Sequence, residues 1–368
     1  MGVALALAER TRGRTAPNPN VGCVIVRDGR VVGRGWTQAG GRPHAEAMAL
    51  AQAGAAARDA TAYVTLEPCA HVSPRGPACS DLLVAAGVKR VVAAIQDPDP
   101  RTAGAGLARL RAAGITVDTG LREAEARRSM AGFLTRRRFR RPQVTLKLAT
   151  SLDGCIAMAD GTSRWITGPE ARAHAHLERS RHEAILVGRG TYDADAPLLD
   201  VRLAGLEARA PHRVMLSATL GTLSPAPTPI RHPSEGWGLP VEQRRSRQPE
   251  DPSLRWGDGS REGRESETPH DGTEPGWTVI ASPADIATLD GIDHILVEGG
   301  AQTASAFLAA DLVDRLLLYR APILIGGGKP AIGDIGIDLA AAHGRWTAVD
   351  ARQLGSDRLE VYERARSD

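Results

Sequence analysis

Four residues constrain this chain more than anything else in it. Pro43-His44-Ala45-Glu46 supplies a histidine and a glutamate two apart, and "EPCAHVSPRGPAC" (67–79) supplies Cys69 and Cys79 with His71 between them. A fold that uses them together must bring a helix start near residue 44 against two later turns. Zinc takes thiolate and imidazole ligands, and a working site keeps one of its four tetrahedral positions open. With His44, Cys69 and Cys79 as ligands that position falls to water, whose pKa the metal lowers from 15.7 towards ~7. Glu46 as a fourth protein ligand would close the site, so its expected role is that of proton shuttle. His71 competes as a ligand because imidazole suits zinc, and a fourth protein ligand would make the site structural. Both cysteines fall near expected helix N-termini, where the helix dipole favours the thiolate that binds metal.

The order of these residues matches H-x-E…P-C-x-x-C, the signature of zinc deaminases. Here nine residues separate the cysteines instead of two. The loop "AHVSPRGPA" therefore has to leave the metal and return, which its Ser-Pro and Arg-Gly-Pro steps allow.

Residues 1–141 alternate β-branched runs with Ala/Leu-rich stretches. "VGCVIVRDGRVVGRG" (21–35) predicts a hairpin turning at Asp28-Gly29, a pair that tolerates the positive φ of tight turns. Helices are expected over 44–57, 80–87 and 106–114 and strands over 62–66 and 89–95, an order that argues a three-layer α/β domain. A second α/β unit begins at Pro142 and runs to residue 368. "QVTLKLA" and "AILVG" (184–188) read as strands, 169–181 as a helix with Pro169 in its first turn, and "HILVEGGAQTASAFLAA" (294–310) as strand, Gly turn and helix. "DRLLLYRAPILIGGG" (314–328) reads as two more strands. Residues 221–275, crowded with Pro, Gly, Ser and charge, have neither a period of 2 nor of 3.6 and are expected to be disordered.

Composition excludes several classes. The 368 residues carry 46 basic and 43 acidic side chains, too near balance for a protein that mainly neutralises phosphate backbones, and at 4% aromatic content base-stacking platforms are not expected. The basic run Arg136-Arg137-Arg138 with Arg140 and Arg141 reads as a solvated helix end leading into a linker. Four cysteines are too few for a disulfide scaffold and place the chain in a reducing compartment, the cytoplasm. "MGVALALAERTRGR" reads as an amphipathic helix rather than an export signal, and no run approaches the ~20 apolar residues of a membrane span.

"TAPNPNVGCVIV", "HAEAMAL", "VTLEPCAH", "GPAC" and "QDPDPRTAGAGL" resemble the deaminase half of the bifunctional riboflavin-biosynthesis deaminase/reductases. "VTLKLATSLDG", "SRWITG", "ILVGRGTYDADAPLLDVR" and "ILVEGG" resemble the reductase half, in the family's order. The resemblance implies a cytidine-deaminase-like domain followed by a dihydrofolate-reductase-like domain, with Zn2+ and NADPH as cofactors. It implies hydrolytic deamination of a diaminopyrimidinone bearing a ribosylamino 5-phosphate, then hydride transfer that opens the ribosyl group to ribityl.

For the deaminase half it implies that Asn18 hydrogen-bonds the ring, that Arg75 and His71 face the ribose phosphate, and that Asp97 and Asp99 border the same pocket. For the reductase half it implies that Ala149, Trp165, Thr191, Asp195, Gly299 and Gly300 contact the dinucleotide. Ser163, Arg179, Leu199, Arg202 and Glu298 would contact substrate, the two arginines through forks that suit a phosphate. A small-molecule substrate and a homo-oligomer are expected, with no nucleic acid and no membrane.

The sequence departs from the family pattern in four places. These are an extra residue near Ser73-Pro74, Asp99 where Asn is common, Ala196 where a second Asp is common, and the stretch 221–275, where further strand and helix are expected. The last leaves open a second reading, a deaminase with an impaired reductase half. A third reading, a nucleic-acid deaminase or binding module, shares the zinc motif.

Overall fold

The computed structural model describes residues 1–71, 76–218 and 276–366. The expectation of disorder over 221–275 lies outside the described residues, as do Arg75 and the extra residue near Ser73-Pro74. Two sheets organise the rest.

The first sheet has the order β2-β1-β3-β4-β5. β1 (Gly22–Arg27) and β2 (Arg30–Trp36) form the expected hairpin, and Asp28 and Gly29 take φ of 49° and 73°, the two positive values a tight turn needs. β3 (Thr61–Val64) runs antiparallel to β1, and β4 (Arg90–Ala93) and β5 (Thr116–Thr119) follow it in parallel. α1 (Gly2–Ala8), α2 (Ala45–Ala53), α3 (Cys79–Ala85), α4 (Ala105–Ala112), α5 (Glu123–Ser129) and α6 (Ala131–Phe139) supply the remaining layers, so the three-layer expectation holds. The core runs from Ile25 and Val64 through Leu83 and Leu110 to Met130. Gly33 and Gly35 of β2 bring α2 down onto the sheet: a β-carbon on Gly33 would strike the Ala49 carbonyl and one on Gly35 the Ala45 carbonyl. That close approach sets the height of the helix start carrying His44 and Glu46.

The second sheet has eight strands in the order β10-β9-β8-β11-β6-β12-β15-β14. β6 (Gln143–Thr150) lies inside it, and β7 (Cys155–Ala157) leaves it. α7 (Pro169–Arg179), β8 (Ala184–Gly188), α8 (Arg189–Asp195) and β9 (His212–Leu216) follow. β10 (Trp277–Ile280) pairs parallel to β9 from Trp277 opposite Arg213 to Ile280 opposite Leu216. β9 and β10 are thus hydrogen-bonded neighbours although residues 217–276 separate them in sequence, and the further strand and helix expected over 221–275 lie outside the described residues.

β11 (His294–Val297) and α9 (Ala301–Ala309) match the strand, turn and helix read from the sequence. β12 (Val313–Arg320) is the only full strand in the segment read as two. The chain leaves the sheet because Pro322 has no donor and Gly326 and Gly327 adopt positive φ, and β13 (Lys329–Pro330) pairs with β7 instead. α10 (Leu339–Ala342) precedes the C-terminal hairpin of β14 (Trp346–Leu354) and β15 (Asp357–Arg364), which runs antiparallel beside β12. Among the described residues no helix is long and apolar enough to cross a membrane.

The basic run is a solvated helix end only in part: Arg138 and Arg140 are exposed, whereas Arg136, Arg137 and Arg141 are engaged by the protein. Nη2 of Arg136 donates to the carbonyls of Leu289 (2.8 Å) and Ile292, Arg137 pairs with Asp99 at 3.1 Å, and Arg141 makes a two-pronged pair with Asp314 at 2.6 and 2.8 Å. α6 ends where the two sheets meet, beside carbonyls left without helical partners, and buried carbonyls need donors. On the same helix the Gly132 N–H donates to Nε2 of His294 on β11, where a β-carbon would strike the imidazole.

Candidate active sites

α2 begins immediately after His44, whose extended backbone (φ −72°, ψ 162°) is that of an N-cap residue, and Glu46 lies buried in the first turn at 4% exposure. Cys69 lies in irregular chain five residues after β3 rather than at the expected helix N-terminus, and Cys79 opens α3. Nδ1 of His44 lies 3.3 Å from Sγ of Cys79 and 3.7 Å from Sγ of Cys69, and the three donor atoms are within 4.8 Å of one another. Ligands at ~2.1–2.3 Å from a tetrahedral zinc are about 3.5–3.8 Å apart, so the donor set and its spacing fit this ion. The strap is fixed by its backbone: Ser80 N–H and Oγ–H both donate to the Cys69 carbonyl, and Cys79 N–H donates to Sγ of Cys69.

His71 is not in the cluster. Its Nδ1 lies 3.3 Å from Oγ1 of Thr102, which removes it as a competing ligand. A hydrogen bond from the Cys79 thiol lowers the pKa of Cys69 against the cost of burial. Burial pushes the Glu46 carboxyl up to about 7, a value suited to a group that takes and returns a proton near neutrality.

Asn18 donates its amide N–H to the Gly41 carbonyl at 3.1 Å, which ties it to the chain just before His44. Asp97 is buried, and burial raises its carboxyl to about 6. Asp99 faces protein: Arg101 and Arg137 bind its carboxylate and hold it well below the usual range, while its N–H donates to Asp97 Oδ1 at 2.9 Å. Glu67, which sequence reasoning passed over, is buried beneath this loop and accepts N–H from Asp97, Gly104, Gly106 and Leu107 at 2.9–3.1 Å.

In the second half, Ala149, Ser163, Trp165, Arg179, Thr191, Asp195, Leu199, Arg202, Glu298, Gly299 and Gly300 all line one cavity of about 380 Å³. A neighbouring cavity of about 770 Å³ shares Lys147, Trp165, Arg179, Arg202 and Glu298 with it and continues along α7 to Tyr319. Gly299 is required by packing, since a β-carbon there would strike the Thr303 side chain, and Gly300 caps the start of α9 at the cavity wall. The N-terminal N–H groups of such a helix suit a pyrophosphate.

Arg179 does not present an open fork. Its Nε and Nη2 donate to the two oxygens of Glu298 at 2.8 and 3.0 Å, and Nη1 donates to the Asp200 carbonyl. Lys147, also unforeseen, sits 3.8 Å from Glu298, and burial lowers its pKa. Its position was readable: Thr145, Lys147 and Ala149 alternate with the core residues Val144, Leu146 and Leu148, which puts a lysine on the cavity face of β6. Arg172, equally unforeseen, lies 4.7 Å over the Trp165 ring.

The sequence profile of the cytidine and deoxycytidylate deaminase zinc-binding region matches residues 1–95, and that of the RibD C-terminal domain matches 142–227 and 285–359. Riboflavin biosynthesis protein RibD of Escherichia coli K12 is 41% identical over 97% of this chain and 96% of its own length. The chain belongs to the RibD family. The RibD of Aquifex aeolicus is 37% identical over 99% of this chain and 97% of its own. Acinetobacter baumannii RibD superposes with a TM-score of 0.77 at 34% identity, covering 99% of this chain and 98% of that one. A Thermotoga maritima structure titled diaminohydroxyphosphoribosylaminopyrimidine deaminase/5-amino-6-(5-phosphoribosylamino)uracil reductase superposes at 0.75 with 31% identity over 99% and 97%. As a RibD, the chain is a bifunctional, zinc-dependent deaminase and NADPH-dependent reductase of riboflavin biosynthesis.

Proposed function

We propose that residues 1–141 deaminate the diaminopyrimidinone ribosylamino phosphate and that residues 142–368 reduce its ribosyl group to ribityl. The observation that carries the first half is one imidazole and two thiols gathered within 4.8 Å beside a buried carboxyl. His44, Cys69 and Cys79 hold zinc, which when bound supplies the Lewis acidity that makes a water acidic enough to ionise near neutral pH. Glu46 would carry two protons in turn, one from the water to the ring nitrogen and the second from the hydroxyl then on the ring carbon to the departing ammonia. Asn18 orients the ring. His71, Arg75 and Asp97 surround the ribosyl phosphate, whereas Asp99 holds the loop.

In the second half Ala149, Trp165, Thr191, Asp195, Gly299 and Gly300 would hold NADPH, the start of α9 suiting its pyrophosphate, and the cofactor would supply the hydride that the ribosyl group takes up at C1′. On the substrate side, Ser163 and Leu199 line the first cavity, and Arg202 and the Arg179–Glu298 pair line the part it shares with the second. The unbroken β8-β9-β10 pairing supports an active reductase over an impaired one. A two-stage assay tests both halves: stoichiometric ammonia release from the diaminopyrimidine phosphate, followed by NADPH oxidation on its product. Ammonia without NADPH oxidation selects the impaired reading, and salt-sensitive binding to RNA with neither activity selects a nucleic-acid role.

The four buried, unpaired cysteines support a reducing, cytoplasmic setting. A second copy of the chain is proposed to cover the apolar surface where Leu152 (52% exposed) donates its N–H to the Ile323 carbonyl beside Leu324 (76% exposed). Light scattering should give a dimer or larger species that Leu324→Asp weakens; a monomeric wild type overturns this assignment.

A further inference from the structure

We propose that Glu67 is a positioning residue of the deaminase, setting the substrate-facing loop at a fixed distance from the metal strap. A carboxylate is an acceptor with about four lone-pair sites, and here backbone N–H groups fill them two to an oxygen. Oε2 accepts from Asp97 (3.1 Å) and Gly104 (2.9 Å), and Oε1 from Gly106 (2.9 Å) and Leu107 (3.1 Å). The donors come from the start of the loop at Asp97 and from the cap and first turn of α4, so the side chain ties residues 97–107 around itself. At 2% exposure the carboxylate is shielded from bulk solvent.

The loop is anchored to the metal side by the chain itself. Glu67 precedes Pro68 and Cys69 directly, and its own N–H donates to the Ile95 carbonyl at 2.9 Å. Across the loop, Thr102 meets His71, and the Asp99 N–H meets the Asp97 carboxylate. Gly106 leaves no slack: a β-carbon there would strike the Pro68 carbonyl and lie 3.1 Å from Oε1. Asp97 and His71 therefore hold their places relative to Cys69 through one buried carboxylate that touches neither substrate nor metal. The inference rests on the reading that Asp97 and His71 face the substrate.

Glu67→Gln is the test, because it keeps the shape but replaces one acceptor oxygen with an N–H2 that faces two N–H donors. The full chain should still bind one zinc and reduce the deaminated substrate at the wild-type rate, which verifies the fold. The KM for ammonia release should rise on the order of tenfold to a hundredfold, with kcat changed less, since two buried hydrogen bonds to a charged acceptor are lost. Glu67→Asp, which retains both acceptor oxygens, should recover part of the KM, and it carries the same comparison if the Gln variant does not accumulate. An unchanged KM, or zinc lost in proportion to activity so that turnover per bound zinc is constant, overturns the proposal. Glu46→Gln in the same assay reads the metal-site assignment separately, because it acts on kcat and leaves the loop in place.

Discussion

Glu46→Gln abolishes ammonia release while His44, Cys69 and Cys79 keep their zinc. The amide is isosteric with the carboxyl and can still accept a hydrogen bond, but it cannot take up and return a proton. Positioned acid–base groups contribute ~10²–10⁴-fold, and a single shuttle serving several transfers belongs at the upper end of that range. The buried setting of Glu46, which raises its carboxyl to about 7, makes the neutral variant cheap to accommodate, so folding should survive. Metal content measured on the purified variant should equal wild type, and NADPH oxidation on pre-deaminated substrate should be unaffected. Residual ammonia release above a few per cent would remove Glu46 from its role.

The second large effect belongs to Glu298. Its carboxylate neutralises Arg179 through two hydrogen bonds and Lys147 at 3.8 Å, all within the reductase cleft. Glu298→Gln leaves two cations buried side by side, and breaking a buried pair from one side costs about 3–5 kcal/mol. NADPH oxidation should be lost, and denaturation of the variant at pH 7 should occur at markedly lower denaturant concentration. Burial by itself would raise the Glu298 carboxyl from its ordinary 4.5, but Arg179 and Lys147 outweigh it and hold it at about 2. A depressed folded-state pKa means the contribution is complete above pH 4.5 and disappears as pH falls through 2. The stability gap between wild type and variant should therefore narrow across that window, and a gap constant from pH 7 to pH 2 would contradict the assignment.

Much of this was legible in the sequence because the relevant physics is local. Asp28-Gly29 announces its turn by backbone preference alone, and His44, Glu46, Cys69 and Cys79 announce a metal by side-chain chemistry. Glu67 was not legible, since a glutamate that gathers four N–H groups from residues thirty to forty positions away looks in sequence like any surface acid. Lys147 was legible in the alternation of its strand though passed over, whereas Arg179 was read as an open fork because its partner lies 119 residues on. The hairpin of β14 and β15 went unread because its charge-rich strands gain their order from pairing, β14 with β15 and β15 with β12. The run Arg136 to Arg141 was misread in part for the same reason: local charge density does not reveal which carbonyls and carboxylates a helix end will meet.

That helix end also ties the chain's two sheets to each other. The carbonyls of Leu289 and Ile292 and the carboxylate of Asp314 lie in the RibD C-terminal domain, whereas Arg136 and Arg141, which hold them, precede it. Severing the chain after Arg141 would hand those groups to water, and the contacts that join α6 to the second sheet would go with it.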